Sequence, residues 1–468
     1  MKAEEMDEQN LSSVGYPRAA YFRAARYIDS STPDEKGRDR ASALSWQFLL
    51  GIAALALLVR VGWMIVFESW DFKHEWAFGH EMGRIGQWLA QGKGFTLDGS
   101  APTAKFPPVY PLLVGGIFYV FGAYTKAAAV SLFLFQSVCS VLIAVCLANL
   151  GNRLFGRTTG MIAGLLWAVY PTSIFYSAVR IWYCELTLLL VLLIATTAVT
   201  TSYSPTFRSV AIMGALSGLT VLTDSTMAIY LPLLLLWMLL ARRIPWSRLI
   251  ALAAVWTIAA GAVTSPWIAR NWIVLGSPVL LKTNLGAELF VGTATTSRGA
   301  IFRALDQDQI AYYRGQSEVA YNRYLLSKAL ERIVKNPLLF LAATASRFVQ
   351  FWVVNPRVGS ETFVRLTYFG PLLLLAFYGI YCFRKRHWQL APIFLFLLVY
   401  PIPFYVIHVD RGRYTYPVEP FVLLLAAAAV AVWYARKVRH NLTANTAIDS
   451  IGKMNTDAIR SVEGRLGN

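Results

Sequence analysis

The sequence predicts an all-α protein that crosses a membrane about ten times and carries further helices at the outer membrane surface. Of its 468 residues, 56% are hydrophobic and 15% are charged, and the mean hydropathy is +0.48. Soluble domains seldom have this composition. Apolar runs near the length that crosses a bilayer, about 20 residues, recur along the chain. A polytopic membrane protein is therefore the predicted class.

Ten apolar runs are predicted to span the membrane. They lie near residues 46–67, 127–149, 160–180, 185–201, 208–223, 226–241, 248–267, 366–383, 390–407 and 418–435. The first run follows a polar segment and lacks a small-residue cleavage site, which favours a span over a signal peptide. Counting the apolar segment 337–354 as an eleventh span is the alternative.

Basic residues indicate which loops face the cytoplasm. Short loops between the spans carry arginine and lysine without acidic residues, at Arg153, Arg157, Arg208, Arg242, Arg243, Arg248, Arg384, Lys385, Arg386, Arg436, Lys437 and Arg439. This bias predicts that these loops and both termini are cytoplasmic. The expected location of the protein is a bacterial inner membrane, with the active site facing outside or the periplasm. The same bias explains the net charge of +17, so nucleic-acid binding is not expected.

These patterns divide the chain into five parts. They are a polar cytosolic segment at 1–44, predicted to be disordered; an N-terminal membrane module at 45–267 with a first outer loop at 68–126; a long outer loop at 268–365; C-terminal spans at 366–439; and a cytosolic tail at 440–468.

The two outer loops carry short elements of their own. In the first, a proline-flanked apolar piece that ends at Gly122 predicts an interfacial or re-entrant helix. In the second, glycines over 276–292 predict turns rather than a helix. Charges at helical spacing over 307–336 predict an amphipathic helix. The span 248–267 ends outside and the span 366–383 ends inside, so the segment 337–354 between them starts and ends on the outer side. It is predicted to be a half-buried helix, and it carries Arg347.

Polar residues gather in three segments that this topology places on the outer face. They are Asp71, His74, Glu75, His80, Glu81 and Arg84 in the first loop; Tyr176, Arg180, Trp182, Tyr183 and Glu185 between the third and fourth spans; and His408, Asp410, Arg411, Arg413, Tyr414 and Tyr416 before the last span. Arg270 and Asn271 add a fourth contribution. Carboxylates can take a proton from an acceptor while arginines neutralise a leaving phosphate, so these segments are candidates for one active site.

Each of these groups also has a simpler interpretation. The alternatives are Glu81 with Arg84 as a surface ion pair, Arg411 with Arg413 as interfacial anchors, Trp182 with Tyr183 as membrane-belt aromatics, Asp224 as a helix cap and Asp98 as a turn residue. For Trp182 and Tyr183 the membrane belt is favoured over a platform for a sugar ring. No single group is a specific motif, and their shared side of the membrane supports the functional interpretation.

Several motifs in order resemble a known family. The acidic first loop is followed by Leu89-Ala-Gln-Gly-Lys-Gly-Phe95, then Pro107-Pro-Val-Tyr-Pro111, Phe121-Gly122, Pro266-Trp-Ile-Ala-Arg-Asn-Trp272 and Arg413-Tyr-Thr-Tyr-Pro417. Over residues 46–435 the chain resembles the membrane glycosyltransferases of family 39, which include dolichyl-phosphate-mannose protein mannosyltransferase-like and aminoarabinose transferase-like enzymes of the GT-C fold.

The resemblance implies an inverting transfer of a sugar from a polyprenyl-phosphate carrier to a lipid, glycan or protein acceptor on the outer face. It implies an acid of the first loop at the centre. Relatives often place an aspartate there, whereas this chain offers Glu81 as the first candidate, Glu75 as the second and Asp71 as the third.

The resemblance also implies roles for other residues. Glu185 matches a second acidic position, and a divalent cation between Glu81 and Glu185 is allowed but not demanded. The candidates for contacts with the phosphate or another part of the substrate are Arg84, His80, Glu185, Arg180, Arg270, Arg411, Arg413 and Tyr414. The alternatives are a transporter or flippase of a lipid-linked sugar and a non-catalytic assembly partner. The sequence shows no convincing internal repeat, and its polar residues lie at one face, which argues against a transporter.

Overall fold

The computed structural model describes residues 43–72, 74–202, 204–240, 244–293, 315, 317–353, 359–407, 412–438 and 440–441. Across these ranges the chain is helical without strands, apart from an isolated bridge between Thr96 and Pro102. The predicted all-α fold class is confirmed.

The helices are numbered in chain order. They are α1 (Trp46–Val66), α2 (Glu81–Ala90), α3 (Val109–Phe121), α4 (Lys126–Phe155), α5 (Arg157–Val169), α6 (Pro171–Ala178), α7 (Cys184–Thr201), α8 (Phe207–Val221), α9 (Tyr230–Leu240), α10 (Trp246–Leu275), α11 (Leu285–Thr293), α12 (Glu318–Lys335), α13 (Pro337–Trp352), α14 (Gly359–Cys382), α15 (His387–Val399), α16 (Ile402–Val406) and α17 (Tyr416–Val438).

Six stretches of the described chain are long and apolar enough to cross a membrane. They are α1, α4, α7, α10, the run of α15 and α16 with its preceding turn, and α17; α5 and α6, bent by 51°, form a seventh if they count as one span. Shorter apolar helices occupy three more of the predicted positions, at Phe207–Val221, Ser225–Leu240 and Thr367–Cys382. The protein is therefore an integral membrane protein, and the count of ten spans stays a prediction.

Glycines allow the central helices to approach one another closely. A Cβ atom on Gly160 of α5 would lie 2.3 Å from the carbonyl oxygen of Ala148 in α4. A Cβ atom on Gly214 of α8 would lie 2.4 Å from the carbonyl oxygen of Trp256 in α10. In a bilayer the association of helices depends on such close packing because the lipid tails are as apolar as the side chains.

The first outer loop folds against the membrane helices through α2 and α3. Gly86 of α2 faces Val114 and Gly115 of α3, where a Cβ atom would lie 2.7 Å from a methyl carbon of Val114. The 13 residues of α3 are too few to span a bilayer, which needs about 20. The backbone N–H of Val109, at the start of α3, donates to the carbonyl of Leu222 just after α8. This arrangement agrees with the predicted interfacial or re-entrant helix and fixes the start of α3.

The second outer loop differs from its prediction at two places. Residues Leu285–Thr293 form helix α11 instead of turns, because Gly286 and Gly292 serve close packing: added Cβ atoms would lie 2.0 Å from the carbonyl oxygen of Asn322 and 2.4 Å from that of Ile407. Helix α10 continues past the predicted end at 267 to Leu275 and stops at Gly276, which has a left-handed backbone. The predicted amphipathic helix and the helix after it are present as α12 and α13.

Candidate active site on the outer face

Gln136 of α4 fixes the segment between α6 and α7. Its amide oxygen accepts hydrogen bonds from the Tyr110 hydroxyl (2.7 Å) and the Trp182 backbone N–H (2.8 Å). Its amide nitrogen donates to the carbonyls of Tyr176 and Arg180, both at 2.8 Å. The side chain is fully buried, so all four bonds form away from water. This one residue therefore sets where Arg180 and Trp182 present their side chains.

His80 brings the first outer loop to that segment. It precedes α2 with a φ of 54°, a left-handed backbone that residues other than glycine rarely adopt. Its Nε2 lies 2.7 Å from Nη2 of Arg180, and its ring meets the edge of Trp182 with centroids 5.4 Å apart. The strained backbone is a feature that functional sites often contain.

The segment before α17 completes the cluster. The Arg413 guanidinium lies over the ring of Trp182 at 5.2 Å and over that of Tyr414 at 4.7 Å, and its Nη2 donates to the Tyr414 hydroxyl at 2.9 Å. Gly412 has a φ of 56°, and a Cβ atom there would lie 3.4 Å from the Tyr176 hydroxyl. The structure thus joins the three predicted segments around Trp182.

The surroundings of Trp182 differ from the favoured prediction for it. Its side chain is only 4% exposed and lies near two guanidinium groups, those of Arg180 (5.8 Å) and Arg413 (5.2 Å). An aromatic residue of a membrane belt faces lipid headgroups, so that interpretation of Trp182 is wrong. The residues near Trp182 in the sequence could not indicate this burial. Arg413 and Gln136, which contact the Trp182 ring and its backbone N–H, are both distant from it in the sequence.

Glu81 opens helix α2 and pairs with a residue that the sequence analysis did not select. Its Oε1 lies 3.8 Å from Nζ of Lys105, and both side chains are partly exposed. Arg84, one turn along the helix, is exposed. The negative carboxylate in the first turn also suits the positive end of the helix. Lys105 therefore joins the candidate site beside Glu81.

The two rival acids of the first loop lie on its exposed part. Asp71 follows α1, and Glu75 starts a 3-10 turn over Glu75–Ala77; both are exposed. Burial raises the pKa of Tyr124 to about 12, with Glu75 adding to the rise and Arg84 opposing it. Glu75 and Arg84 therefore both lie close enough to Tyr124 to interact with it, near α2. The choice between Glu81, Glu75 and Asp71 as the reacting acid stays a prediction.

Glu185 lies in the protein interior. It is fully buried at the start of α7, where its Oε1 accepts a 2.5 Å hydrogen bond from the Tyr416 hydroxyl. Tyr416 in turn stacks on Tyr176, with centroids 4.4 Å apart. Arg60 of α1, also fully buried, donates to the hydroxyl of Ser173 at 2.8 Å and to backbone carbonyls at the bend between α5 and α6. Glu185 therefore holds the start of α17 through the hydroxyl of Tyr416.

A metal ion between Glu81 and Glu185 finds little support in this arrangement. The two carboxylates have different partners, Lys105 for one and Tyr416 for the other. Over the described ranges, no three or more histidine, cysteine, aspartate or glutamate side chains are grouped as ligands of one ion. The two acids do not form a ligand set here.

Arg270 holds the loop that carries Lys105. Its Nη1 donates to the carbonyl of Thr103 at 2.7 Å, and its Nη2 to that of Phe95 at 3.0 Å. Glu318, at the start of α12, accepts from the Ala104 N–H at 2.9 Å and from the Thr103 hydroxyl. Most of the Arg270 guanidinium is thus engaged with backbone. The contact of Arg270 with a phosphate stays a prediction. Fewer of its N–H groups remain for such a contact.

The remaining predicted residues divide as follows. Arg411, with His408 and Asp410, lies outside the described residues. Asp98 is a turn residue, because its Oδ1 accepts from the N–H groups of Ser100 (2.9 Å) and Ala101 (3.1 Å). Asp224 caps the following 3-10 turn by accepting from the Thr226 N–H at 3.0 Å. The simpler interpretations of both aspartates are confirmed.

Comparison with known proteins agrees with this architecture. Residues 105–269 match the family described as dolichyl-phosphate-mannose-protein mannosyltransferase. The archaeal oligosaccharyltransferase AglB from Archaeoglobus fulgidus, in complex with an inhibitory peptide and a dolichol-phosphate, superposes with a TM-score of 0.52 at 14% identity. That comparison covers 86% of this chain and 52% of the other, so this chain spans about half the length of AglB.

Two further structures are similar to this chain. The apo form of the Archaeoglobus fulgidus oligosaccharyltransferase has a TM-score of 0.52 at 16% identity, over 86% of this chain and 52% of that chain. ArnT from Cupriavidus metallidurans, bound to undecaprenyl phosphate, covers 83% of this chain and 78% of its own at 15% identity, with a TM-score of 0.37 that carries no conclusion about the fold. No curated protein matches the sequence. The chain shares the GT-C fold of AglB, and the family resemblance predicted from its motifs is confirmed by the match over residues 105–269.

Proposed function

We propose that this protein is a membrane glycosyltransferase that moves a sugar from a polyprenyl-phosphate carrier to a lipid, glycan or protein acceptor. The observation that carries the proposal is the meeting of three distant outer segments around Trp182, with Arg180, Arg413 and the Glu81–Lys105 pair among them. The AglB structure with a dolichol-phosphate and a peptide, and the ArnT structure with undecaprenyl phosphate, support a lipid-linked donor in general.

The proposed step needs one base and several cations. The hydroxyl or amine of the acceptor attacks the anomeric carbon of the sugar, and the bond between that carbon and the phosphate oxygen breaks. The electron pair leaves with the phosphate, so the second product is the polyprenyl phosphate, and the proton of the acceptor passes to the carboxylate. Attack from the side opposite the phosphate inverts the anomeric centre. Glu81 is the candidate base, and Glu75 is its rival.

The cations have the complementary task of stabilising the leaving phosphate. A phosphate that departs as an anion needs charge neutralisation more than protonation, and arginine stays charged at every relevant pH. Arg180 and Arg413 both lie close to the Trp182 ring, with guanidinium carbons 5.8 Å and 5.2 Å from its centroid, so their charges can act together on one phosphate. Lys105, only 3.8 Å from Glu81, is placed to contact the phosphate close to the base.

The orientation belongs to the same proposal. The arginine and lysine bias of the short loops supports an orientation with the termini in the cytoplasm and the cluster around Trp182 on the outer face, and the membrane proposed is a bacterial inner membrane. A polyprenyl tail would lie between the spans while its phosphate enters the cluster. Addition of a membrane-impermeant thiol reagent to intact cells expressing a cysteine at exposed Gln91 tests this, since the reagent should label that cysteine without lysis.

Sugar transfer in purified membranes tests the function. Membranes with the wild-type protein, a radiolabelled sugar on a polyprenyl phosphate and an envelope extract should yield a labelled acceptor. Glu81→Gln should abolish that transfer because the amide cannot take up the proton. Glu331→Gln, an exposed glutamate of α12, is the matched control and should leave transfer unchanged. Transfer that survives in both Glu81→Gln and Glu75→Gln would show that neither acid is the base.

A further inference from the structure

A concave site lies next to the loop that carries Lys105. It is a cavity of about 460 Å³ between the segment that precedes α11, the start of α12 and the turn after α8. The residues that matter for its chemistry are Ser225, Leu280, Leu281, Lys282, Leu285 and Arg323. None of these was selected in the sequence analysis, and none takes part in the proposed sugar transfer. A volume of this size fits a small-molecule headgroup.

The walls of the cavity combine two cations with apolar side chains. Lys282 is partly exposed and Arg323 is exposed, so both can reach a ligand. Leu280 is 64% exposed and Leu285 is 60% exposed, which is unusual for leucines outside the spans. The hydroxyl of Ser225 is buried and finds no hydrogen-bond partner among the described residues. Positive charge, a spare hydroxyl and exposed leucines together fit an anion attached to an apolar group.

The charged residues that line the cavity, among the described part of the chain, are the two cations Lys282 and Arg323. Both carboxylate oxygens of Glu318, at the start of α12, accept hydrogen bonds from the Ala104 N–H and from the Thr103 and Thr283 hydroxyls, and Glu318 also interacts with Arg270. Asp224 interacts electrostatically with Lys282, and burial raises the pKa of Asp224 above its ordinary value. The lining itself therefore has a positive character.

The cavity is attached directly to the proposed active site. The backbone N–H of Thr283, in the cavity wall, donates to the carbonyl of Ala104 at 3.0 Å. The next residue is Lys105, whose ammonium lies 3.8 Å from Glu81. On the other side, Asp224 adjoins Ser225 of the cavity and interacts with Tyr183, the neighbour of Trp182. A molecule in the cavity would thus lie next to the segments that surround the reacting groups.

We propose that this cavity binds the anionic head of an amphiphilic acceptor, with Lys282 and Arg323 contacting the charge. The leucines contact the apolar part, and the Ser225 hydroxyl donates to the anion. The proposed anion is a phosphoryl group that is attached to the apolar part of the same molecule. The acceptor role rests on the proposed function, whereas the binding of an anionic amphiphile does not.

Photolabelling of the full chain tests the binding directly. Purified protein in phosphatidylcholine nanodiscs is exposed to a phosphatidic acid with a diazirine close to its headgroup, and labelled peptides are identified by mass spectrometry. Label is expected on 277–285 and on 317–323. Lys282→Gln with Arg323→Gln should reduce the label about tenfold, which corresponds to about 1.4 kcal/mol of binding free energy for the two charge contacts together. Lys328→Gln with Lys335→Gln makes the same charge change elsewhere on α12 and should leave the label unchanged.

Two further arms separate the sources of the anion. A diazirine diacylglycerol, which lacks the phosphate, should label these peptides weakly, whereas equal labelling would overturn the role of the cations. Millimolar inorganic phosphate should not displace the phosphatidic acid, whereas displacement would overturn the need for an apolar part. Label that is unchanged in the Lys282→Gln, Arg323→Gln variant contradicts the proposal. Expected labelling together with no sugar transfer by the wild-type protein would leave this cavity assignment standing while removing the glycosyltransferase function.

Discussion

Replacing Gln136 by methionine should both destabilise the protein and disable the cluster around Trp182. Methionine keeps the length and approximate volume of the side chain but removes both polar groups of the amide. The four hydrogen bonds of Gln136, to Tyr110, Tyr176, Arg180 and Trp182, are then lost in a fully buried place. Arg180 and Trp182 lose the contacts that fix their backbone.

The size of the effect follows from those four bonds. At about 1 kcal/mol for a hydrogen bond in a protein interior, the loss is about 4 kcal/mol. At about 0.6 kcal/mol, the average found within membrane proteins, the loss is about 2.4 kcal/mol. The expected decrease in the free energy of unfolding is therefore between about 2 and 4 kcal/mol.

Reversible unfolding with increasing sodium dodecyl sulfate in mixed micelles measures this decrease, and tryptophan fluorescence reports the transition. Gln350→Met is the matched control, because its amide makes one exposed hydrogen bond, to Ser346, and it should cost less than about 1 kcal/mol. A decrease for Gln136→Met no larger than that of the control would refute the assignment of Gln136 as the organising residue of the site. Sugar transfer by the same variant should fall at least tenfold at a temperature where it stays folded.

Three other substitutions test separate parts of the structure. Tyr416→Phe should lower the free energy of unfolding by about 2 kcal/mol, because it removes the hydroxyl that donates to the buried Glu185 carboxylate; an unchanged transition would mean that this bond is absent. Gly160→Ala should cost about 1–3 kcal/mol through its clash with backbone of α4, whereas Gly116→Ala, which meets nothing within 4 Å, should be neutral or slightly stabilising. Burial raises the pKa of Asp224, so wild-type stability should fall relative to Asp224→Asn as pH rises through its ordinary value of about 3.9. Unfolding midpoints of the two proteins at pH 4 and pH 7 check this, and a wild-type midpoint that stays constant or rises relative to that of Asp224→Asn over this range would contradict the raised pKa.

Hydropathy predicted the membrane helices because the bilayer imposes one length and one kind of side chain on every span. It also predicted that α3 is too short to cross, since prolines bound its apolar run. The same reasoning missed helix α11, where Gly286 and Gly292 lie inside a helix to allow close contact with α12 and with the segment after α16. A glycine gives the same local signal whether it permits a turn or a close approach, and tertiary packing decides between the two.

The candidate site was predictable as a set of loops but not as a set of contacts. Topology placed three polar segments on one face, and the structure joins them around Trp182. The hydrogen bonds of Gln136 hold these segments in place. They join residues that are 40 to 46 positions apart in the sequence, Tyr176 and Trp182, so no local pattern predicts them. Glu81 pairs with Lys105 rather than with a neighbour on its own helix for the same reason.

Sequence reasoning could not distinguish the structural arginines from the candidate phosphate-binding ones. Arg270 and Arg413 both lie on the predicted outer side, yet Arg270 donates to backbone carbonyls of the 95–103 loop while Arg413 lies over Trp182 and Tyr414. A guanidinium satisfies carbonyls and phosphates equally well, so its role depends on which acceptors the fold brings near it. The sequence contains no information on that choice at the level of single residues.

Mass spectrometry of envelope glycans, glycolipids and glycoproteins tests the central claim most directly. A strain that lacks this protein is compared with the same strain complemented by the wild-type chain, by Glu81→Gln and by the control Glu331→Gln. The account predicts that one sugar is missing from one class of acceptor in the deletion strain, and that the wild-type chain and the control restore it while Glu81→Gln does not. An envelope that is identical in all four strains would contradict the claim that this protein transfers a sugar.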